Sequence, residues 1–197
     1  MTARYVGFEG VEGASKSTVV REVAQRLEVA GHDVVAVREP GGTPVGEEIR
    51  RLLLHSDALS DWTEAALFAA ARAELVRRVV APALERGAFV LSDRTYYSSL
   101  AYQGGARGLG IEDVRALNEQ VLGGVVPDLV VVLDVDPAVG FKRETDRDRI
   151  GSEGLEFQRS VAAAYARVAA TDPKVRSVDG SQPAERVADD IMRLVDL

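Results

Sequence analysis

A chain of 197 residues sits at the upper end of one ordinary domain and is long enough to bury a substantial core. With no cysteine it can form no disulfide, thiol nucleophile or thiolate metal site, and two isolated histidines, His32 and His55, do not make a zinc cluster. Its formal net charge of −7 argues against a nucleic-acid groove built on a basic surface, so the expected partner is a small molecule held by local positive charge.

No run approaches the roughly 20 apolar residues of a membrane helix, and Met1-Thr2-Ala3-Arg4 lead straight into a strand rather than a signal peptide. A soluble, cytoplasmic protein with no membrane or nucleic-acid partner is expected. Tyr5 to Thr18 open with a short apolar run, pass through small residues and reach Lys16-Ser17-Thr18 at the start of an amphipathic helix. The pattern is that of a phosphate-binding loop, G-x-x-x-x-G-K-[ST], whose backbone N–H groups wrap a polyphosphate while lysine meets the outer phosphates and the hydroxyl holds Mg²⁺. Gly10, Lys16 and Ser17 match, but Ser15 stands at the second glycine position. A side chain where the backbone prefers glycine costs on the order of 1 kcal/mol or more, so weaker binding of the phosphate donor is expected.

Val19, Val20, Val23, Ala24, Leu27 and Ala30 give helical spacing over Ser17 to Ala30, with Gly31 as the stop. Asp33 to Val37 reads as a strand, followed by the irregular loop Arg38-Glu39-Pro40-Gly41-Gly42-Thr43-Pro44. Loops at the carboxyl ends of parallel strands are where open α/β sheets bind ligands. Val45 to Leu54 and Thr63 to Arg86 read as helices, the second bent near Pro82. Its stretch Ala65 to Ala73 suits either a subunit contact or a covered core face.

Ala88 to Leu91 is a third strand ending in Ser92-Asp93-Arg94. From Tyr96 to Gly105 aromatic and hydroxyl groups concentrate as in a pocket lining. Ile111 to Leu122 is a helix, and Leu129 to Leu133 an apolar strand covered on both faces. Lys142 to Arg149 carry too much charge for a fixed core and are expected to form a mobile flap. Glu156 to Thr171 (helix), Val175 to Val178 (strand) and Pro183 to Val195 (helix) complete an alternation that predicts a doubly wound parallel sheet.

Seven motifs stand in one order: the loop Gly10 to Thr18, Arg38-Glu39-Pro40-Gly41-Gly42-Thr43, Phe68-x-x-x-Arg72, Asp93-Arg94, Ala101-Tyr102-Gln103-Gly104, Pro127-Asp128-Leu129 and Asp148-Arg149-Ile150. Together they closely resemble the thymidylate kinase family over essentially the whole chain. The resemblance implies a P-loop NTPase α/β/α fold with a five-stranded parallel sheet of order 2-3-1-4-5 and a short lid at about 142–153, all in one domain spanning 1–197. It implies transfer of the γ-phosphoryl of ATP to dTMP with Mg²⁺, in a homodimer.

Carried over residue by residue, it implies that Gly10, Glu12, Gly13, Ala14, Ser15, Lys16, Ser17, Thr18 and Arg143 bind the donor, and that Ser17 and Asp93 serve the metal. Arg94 would clamp the acceptor phosphate with Arg38 nearby, on a loop expected to be otherwise solvated. Phe68 would stack on thymine and Arg72 bond its carbonyl edge, with Ser98, Ser99 and Gln103 close by, Tyr102 below the sugar and Glu12 at the 3′-hydroxyl. Lys16, Asp93, Arg94, Arg147 and Arg149 would carry the chemistry, the flap arginines covering the transferring phosphoryl.

Singly, each residue has a plainer reading: Phe68 as core, Arg72 and Arg94 as salt bridges, Tyr102 as a half-buried tyrosine, and Glu12 and the flap arginines as solvated charges. The chain departs from the family at Ser15, in a flap a few residues shorter than usual with Gly151 at a normally acidic position, and at Ala162 in place of an arginine. All lie on the donor and lid side. Three readings therefore stand: an active Mg²⁺-dependent dTMP kinase, with Ser15 weighing on its donor side, a catalytically silent dTMP binder, and a kinase for a modified deoxynucleoside monophosphate.

Overall fold

Five short strands, β1 (Tyr5–Glu9), β2 (Val34–Arg38), β3 (Phe89–Asp93), β4 (Leu129–Asp134) and β5 (Val175–Asp179), form one parallel sheet in the order β2-β3-β1-β4-β5. The computed structural model describes residues 4–145 and 148–195. Central strands bury both faces, with Val6, Phe8, Val90, Leu91, Val130 and Val131 in the core, whereas the edge strands β2 and β5 are only partly covered. This explains why β1, β3 and β4 are nearly continuous apolar runs.

Helices cover both sides. α1 (Lys16–Val29) leaves the loop after β1 and buries Val19, Val20, Val23 and Leu27. α2 (Pro44–His55) starts with proline at its first position, and Thr43 Oγ1 accepts from Gly46 N at 2.9 Å. α3 (Asp61–Leu75) passes through wide π-type turns at Val76–Val80 into α4 (Ala81–Glu85). The bend expected at Pro82 is taken up there: proline lacks an N–H, and Ala81 N reaches back five residues to Val76 O.

The aromatic stretch after β3 is helical: α5 (Tyr96–Ser99), capped by Thr95, runs into π-type turns over Leu100–Ala106. α6 (Ile111–Leu122) follows. Next comes α7 (Pro137–Arg143), whose cap Asp136 accepts from Ala138 N at 2.7 Å. The expected flap at Lys142 to Arg149 thus begins inside a helix, and after a short turn at Gly151–Glu153 the chain enters α8 (Leu155–Thr171).

α9 (Ala184–Val195) packs against α1, while α3, α6, α8 and the Leu100–Ala106 turns pack on one another. Ala65, Ala69 and Ala71 are buried, but Ala66, Ala70 and Trp62 are exposed along α3. Among the described residues no helix is long and apolar enough to cross a membrane.

Candidate functional site

The carboxyl ends of β1, β2 and β3 bring Glu9, Arg38 and Asp93 side by side, since Arg38 pairs with Asp93 and Asp93 with Phe8 in the sheet register. A ligand crevice in an open parallel sheet lies at this edge. Out of β1 the chain turns through Gly10 to Ser15 into α1. Gly13 is required by contact as well as by its φ of 70°, because a Cβ there would lie 2.1 Å from Gly140 O on α7. Helix α7, with Arg143 at its end, is therefore seated directly on the loop.

Ser15 has φ 62° and ψ 26°, the left-handed conformation that glycine would adopt freely, and its side chain caps nothing. Its carbonyl accepts from Thr18 N and Val19 N, so the helix start is intact despite the serine. Lys16 is buried and donates from Nζ to Val11 O at 2.9 Å and Gly10 O at 3.3 Å. Burial, aided by the nearby Arg94 charge, lowers its pKa to about 8 against the opposing pull of Glu12 and Asp93.

Ser17 Oγ donates to Asp93 Oδ2. A hydroxyl and a carboxylate oxygen in contact, with no cluster of three acidic or histidine ligands among the described residues, suit Mg²⁺, which keeps waters and takes its remaining ligands from phosphates.

Arg94, just after β3, also has positive φ, 73°. Its guanidinium donates to Glu12 Oε1 at 2.7 Å, to Gly10 O and Ser98 Oγ at 3.2 Å, and stacks 5.1 Å from the centre of the Tyr102 ring. Arg94 is thus largely buried and bonded, where the sequence suggested a solvated loop; β3 ends it against the inside of the phosphate loop. Burial works against the Glu12 charge, but Arg94 and Lys16 outweigh it and hold the carboxyl below the usual range. Burial likewise opposes the Arg94 charge, and Glu12 outweighs it, so the cation is firmly held.

Beneath this pair lies Glu9, fully buried. Thr95 N and Oγ1 and Tyr165 hydroxyl donate to it at 2.7 Å, and Ser98 Oγ donates to it at 2.5 Å. The carboxylate is satisfied and inaccessible, so it fixes the turn after Arg94 and joins α5 to α8. Gln158 Oε1 accepts from Glu12 N at 3.1 Å, tying α8 to the loop as well.

On the other side Arg72, 2% exposed, donates to Glu39 Oε2 at 2.5 Å, Ser99 Oγ at 3.3 Å, Thr95 O at 3.2 Å and Asn118 Oδ1. Burial raises the Glu39 carboxyl despite the arginine beside it, and its Oε1 has no hydrogen-bond partner. One turn before Arg72 on α3, Phe68 is half-buried beside the opening.

One cavity of about 410 Å³ joins these parts. It is lined by Glu12, Gly13, Ser15, Lys16, Ser17, Arg38, Phe68, Arg72, Asp93, Arg94, Ser98, Ser99, Tyr102, Gln103 and Arg143 of the expected residues. Gly10, Ala14 and Thr18 shape the loop without lining it. Arg147 lies outside the described residues. Arg149 does not line the cavity: its guanidinium donates to Glu64 Oε2 at 2.7 Å and Leu53 O at 2.9 Å.

Sequence reasoning assigned no role to several residues here. Arg50 lines the cavity and donates to Pro40 O at 2.9 Å; burial and neighbouring Arg38 lower its pKa, the mark of a cation placed among cations. Glu39, Leu54, Asp148 and Ile150 also line it. Glu9 carried the one usable signal, a lone acid inside an otherwise apolar strand, since a charge there is buried only when paired. The family model described as thymidylate kinase matches residues 8–191 of this chain.

Proposed function

The chain belongs to the thymidylate kinase family, a family of nucleoside monophosphate kinases, and from that premise we propose that it moves the γ-phosphoryl of ATP onto the 5′-phosphate of dTMP, giving ADP and dTDP. The observation that carries this reading is the continuity of the 410 Å³ cavity from the phosphate loop to Phe68, Arg72 and Ser99, with Arg94 and Arg50 between. Phosphoryl transfer asks a protein mainly to align the reacting oxygens and to stabilise charge, and the two ends of this cavity divide that work.

Lys16 and the loop N–H groups hold the donor phosphates. Lys16 must leave Val11 O and Gly10 O to do so, and a polyphosphate favours its charged form. Arg94, with Arg50 and Arg38, grips the acceptor phosphate in competition with Glu12. An acceptor phosphate oxygen then attacks the γ-phosphorus, and the bond to ADP breaks on the opposite side. When bound at Ser17 and Asp93, Mg²⁺ supplies neutralising charge to the phosphate oxygens.

At the far end Phe68 offers a stacking face, and Arg72, immobilised by Glu39, Asn118, Ser99 and Thr95 O, has one Nη2 N–H left that suits a carbonyl of thymine. Tyr102 packs below the sugar, Glu12 meets its 3′-hydroxyl, and Arg143 on α7 covers the donor side. In this reading the protein is cytoplasmic and works as a homodimer joined through the exposed Trp62, Ala66 and Ala70 stripe of α3. The test is ADP release with dTMP, dUMP, dGMP and dCMP in turn: dTMP is expected to be fastest, and equal rates with dGMP would overturn the assignment of the acceptor.

A further inference from the structure

Glu64 lies within α3, 1% exposed, and its carboxylate collects donors from three residues on two separate segments. Gln103 Nε2 donates at 2.7 Å from the turns after α5. Arg107, at the end of those turns, donates at 2.8 and 3.0 Å, and Arg149 donates at 2.7 Å from the segment that returns from the flap. Arg107 also donates to Glu153 at 2.7 Å and lies 3.7 Å from Asp61, so two cations serve three acids, of which only Glu64 is fully buried. Burial raises the Glu64 carboxyl, but the three donors outweigh it and leave it ionised below its usual range.

Apart from Ile150, which is buried in the core, the segment 148–154 is held to the rest of the chain chiefly through Arg149 and Glu153. Asp148 Oδ1 accepts from Ile150 N at 2.9 Å and Gly151 N at 2.8 Å, making a tight turn. Arg149 ties that turn to α2 through Leu53 O at 2.9 Å and through its own N–H to Leu54 O at 3.2 Å. Its neighbours Asp148 and Ile150 line the cavity, as do Leu54 and Gln103, whereas Arg149 and Glu64 do not. One carboxylate outside the cavity therefore sets four groups of its wall. It also sits one helical turn before Phe68 on α3.

We propose that Glu64 is a positioning residue that fastens segment 148–154 to the acceptor pocket, with Arg149 and Arg107 as its arms. The inference rests on the reading above for what fills the cavity, but the fastening itself does not. Its consequence is that Arg149 acts on the shape of the acceptor wall and leaves contact with the phosphoryl group to other arginines.

The test uses Arg149→Gln, which leaves Glu64 paired with Arg107 and Gln103 and so keeps the buried charge satisfied. Glu64→Gln serves as the second variant, and Arg149→Lys as the conservative rescue. Backbone hydrogen exchange in 148–154 is expected to speed up by about tenfold or more in Arg149→Gln, with β1 and β4 unchanged. KM for dTMP is expected to rise about fivefold or more, with kcat within about threefold and KM for ATP unchanged. Arg149→Lys restores part of both losses, and Glu64→Gln reproduces them.

A kcat loss of about 100-fold or more with the segment still protected would overturn the proposal and return Arg149 to the phosphoryl group. Lowered thermal stability with exchange and KM unchanged would overturn it too, marking the cluster as structural. If the parent protein does not turn over dTMP at all, the functional reading fails, and hydrogen exchange alone still decides whether Glu64 holds the segment.

Discussion

Arg94 donates to Glu12 at 2.7 Å, binding the residue that ends β3 to the inside of the loop that follows β1. The pair joins the phosphate loop to the cavity wall beyond β3, and each charge is held in place by the other. Replacing Arg94 by glutamine leaves the Glu12 carboxylate short of its cation in a mostly closed site, an imbalance worth about 1–3 kcal/mol of stability. Turnover is expected to fall more steeply, because the acceptor phosphate loses its clamp. Denaturant melts give the first quantity and steady-state kinetics the second. Adding Glu12→Gln to Arg94→Gln is expected to cost less than the sum of the single changes, as for any directly coupled pair.

Ser15 stands at φ 62°, so its backbone strain is carried by the folded loop itself. Ser15→Gly is therefore expected to raise stability by up to about 1 kcal/mol, part of the relief being offset by the greater freedom of glycine in the unfolded chain. ATP affinity is expected to change by less than about fivefold, since strain that belongs to the folded loop weighs on stability rather than on binding. Calorimetric titration with ATP tests this. A far larger gain would mean that the serine side chain meets the phosphates directly.

Tyr102 is buried, with its ring against Arg94 and its hydroxyl 3.4 Å from both Arg94 and Glu12. Tyr102→Ala is expected to weaken discrimination against the ribonucleotide acceptor, because the ring is the bulk that a 2′-hydroxyl would meet. Comparison of kcat/KM for dTMP and its ribonucleotide counterpart in both proteins decides the matter, and unchanged discrimination assigns the filter elsewhere.

The stability contributed by Glu64 is expected to depend on pH in one direction. Its carboxyl, ordinarily near 4.5, is held lower in the folded protein, so on acidification the unfolded chain takes up the proton first. The ionic contribution is therefore complete at neutral pH and fades as pH falls below 4.5 through the folded-state value. Melting temperatures of the parent and Glu64→Gln are accordingly expected to differ most at neutral pH and to converge in acid. A gap that is constant with pH contradicts an ionised Glu64.

Whereas the strand order came with the family resemblance, the strand–helix alternation and the phosphate loop were legible because β1, β3 and β4 are nearly continuous apolar runs and Gly10, Lys16 and Ser17 keep fixed spacing. The helical path of Tyr96 to Ala106 was not, since its tyrosines, serines and paired glycines form helix poorly by themselves. It is held by bonds that sequence spacing cannot reveal, such as Ser98 to Glu9 and Tyr97 to Asp172. Helix α7 escaped because it is only seven residues long, although Asp136 and Pro137 mark its start. Glu64 and Arg50 escaped for a related reason: the roles of both depend on partners brought near only by the fold.

The central claim, transfer of a phosphoryl group between nucleotides, is tested most directly by following the γ-phosphate of labelled ATP in the presence of Mg²⁺ and dTMP. The label is expected to appear in dTDP, at a rate that collapses in Lys16→Met. Label that remains in ATP, or emerges only as inorganic phosphate, would contradict the account.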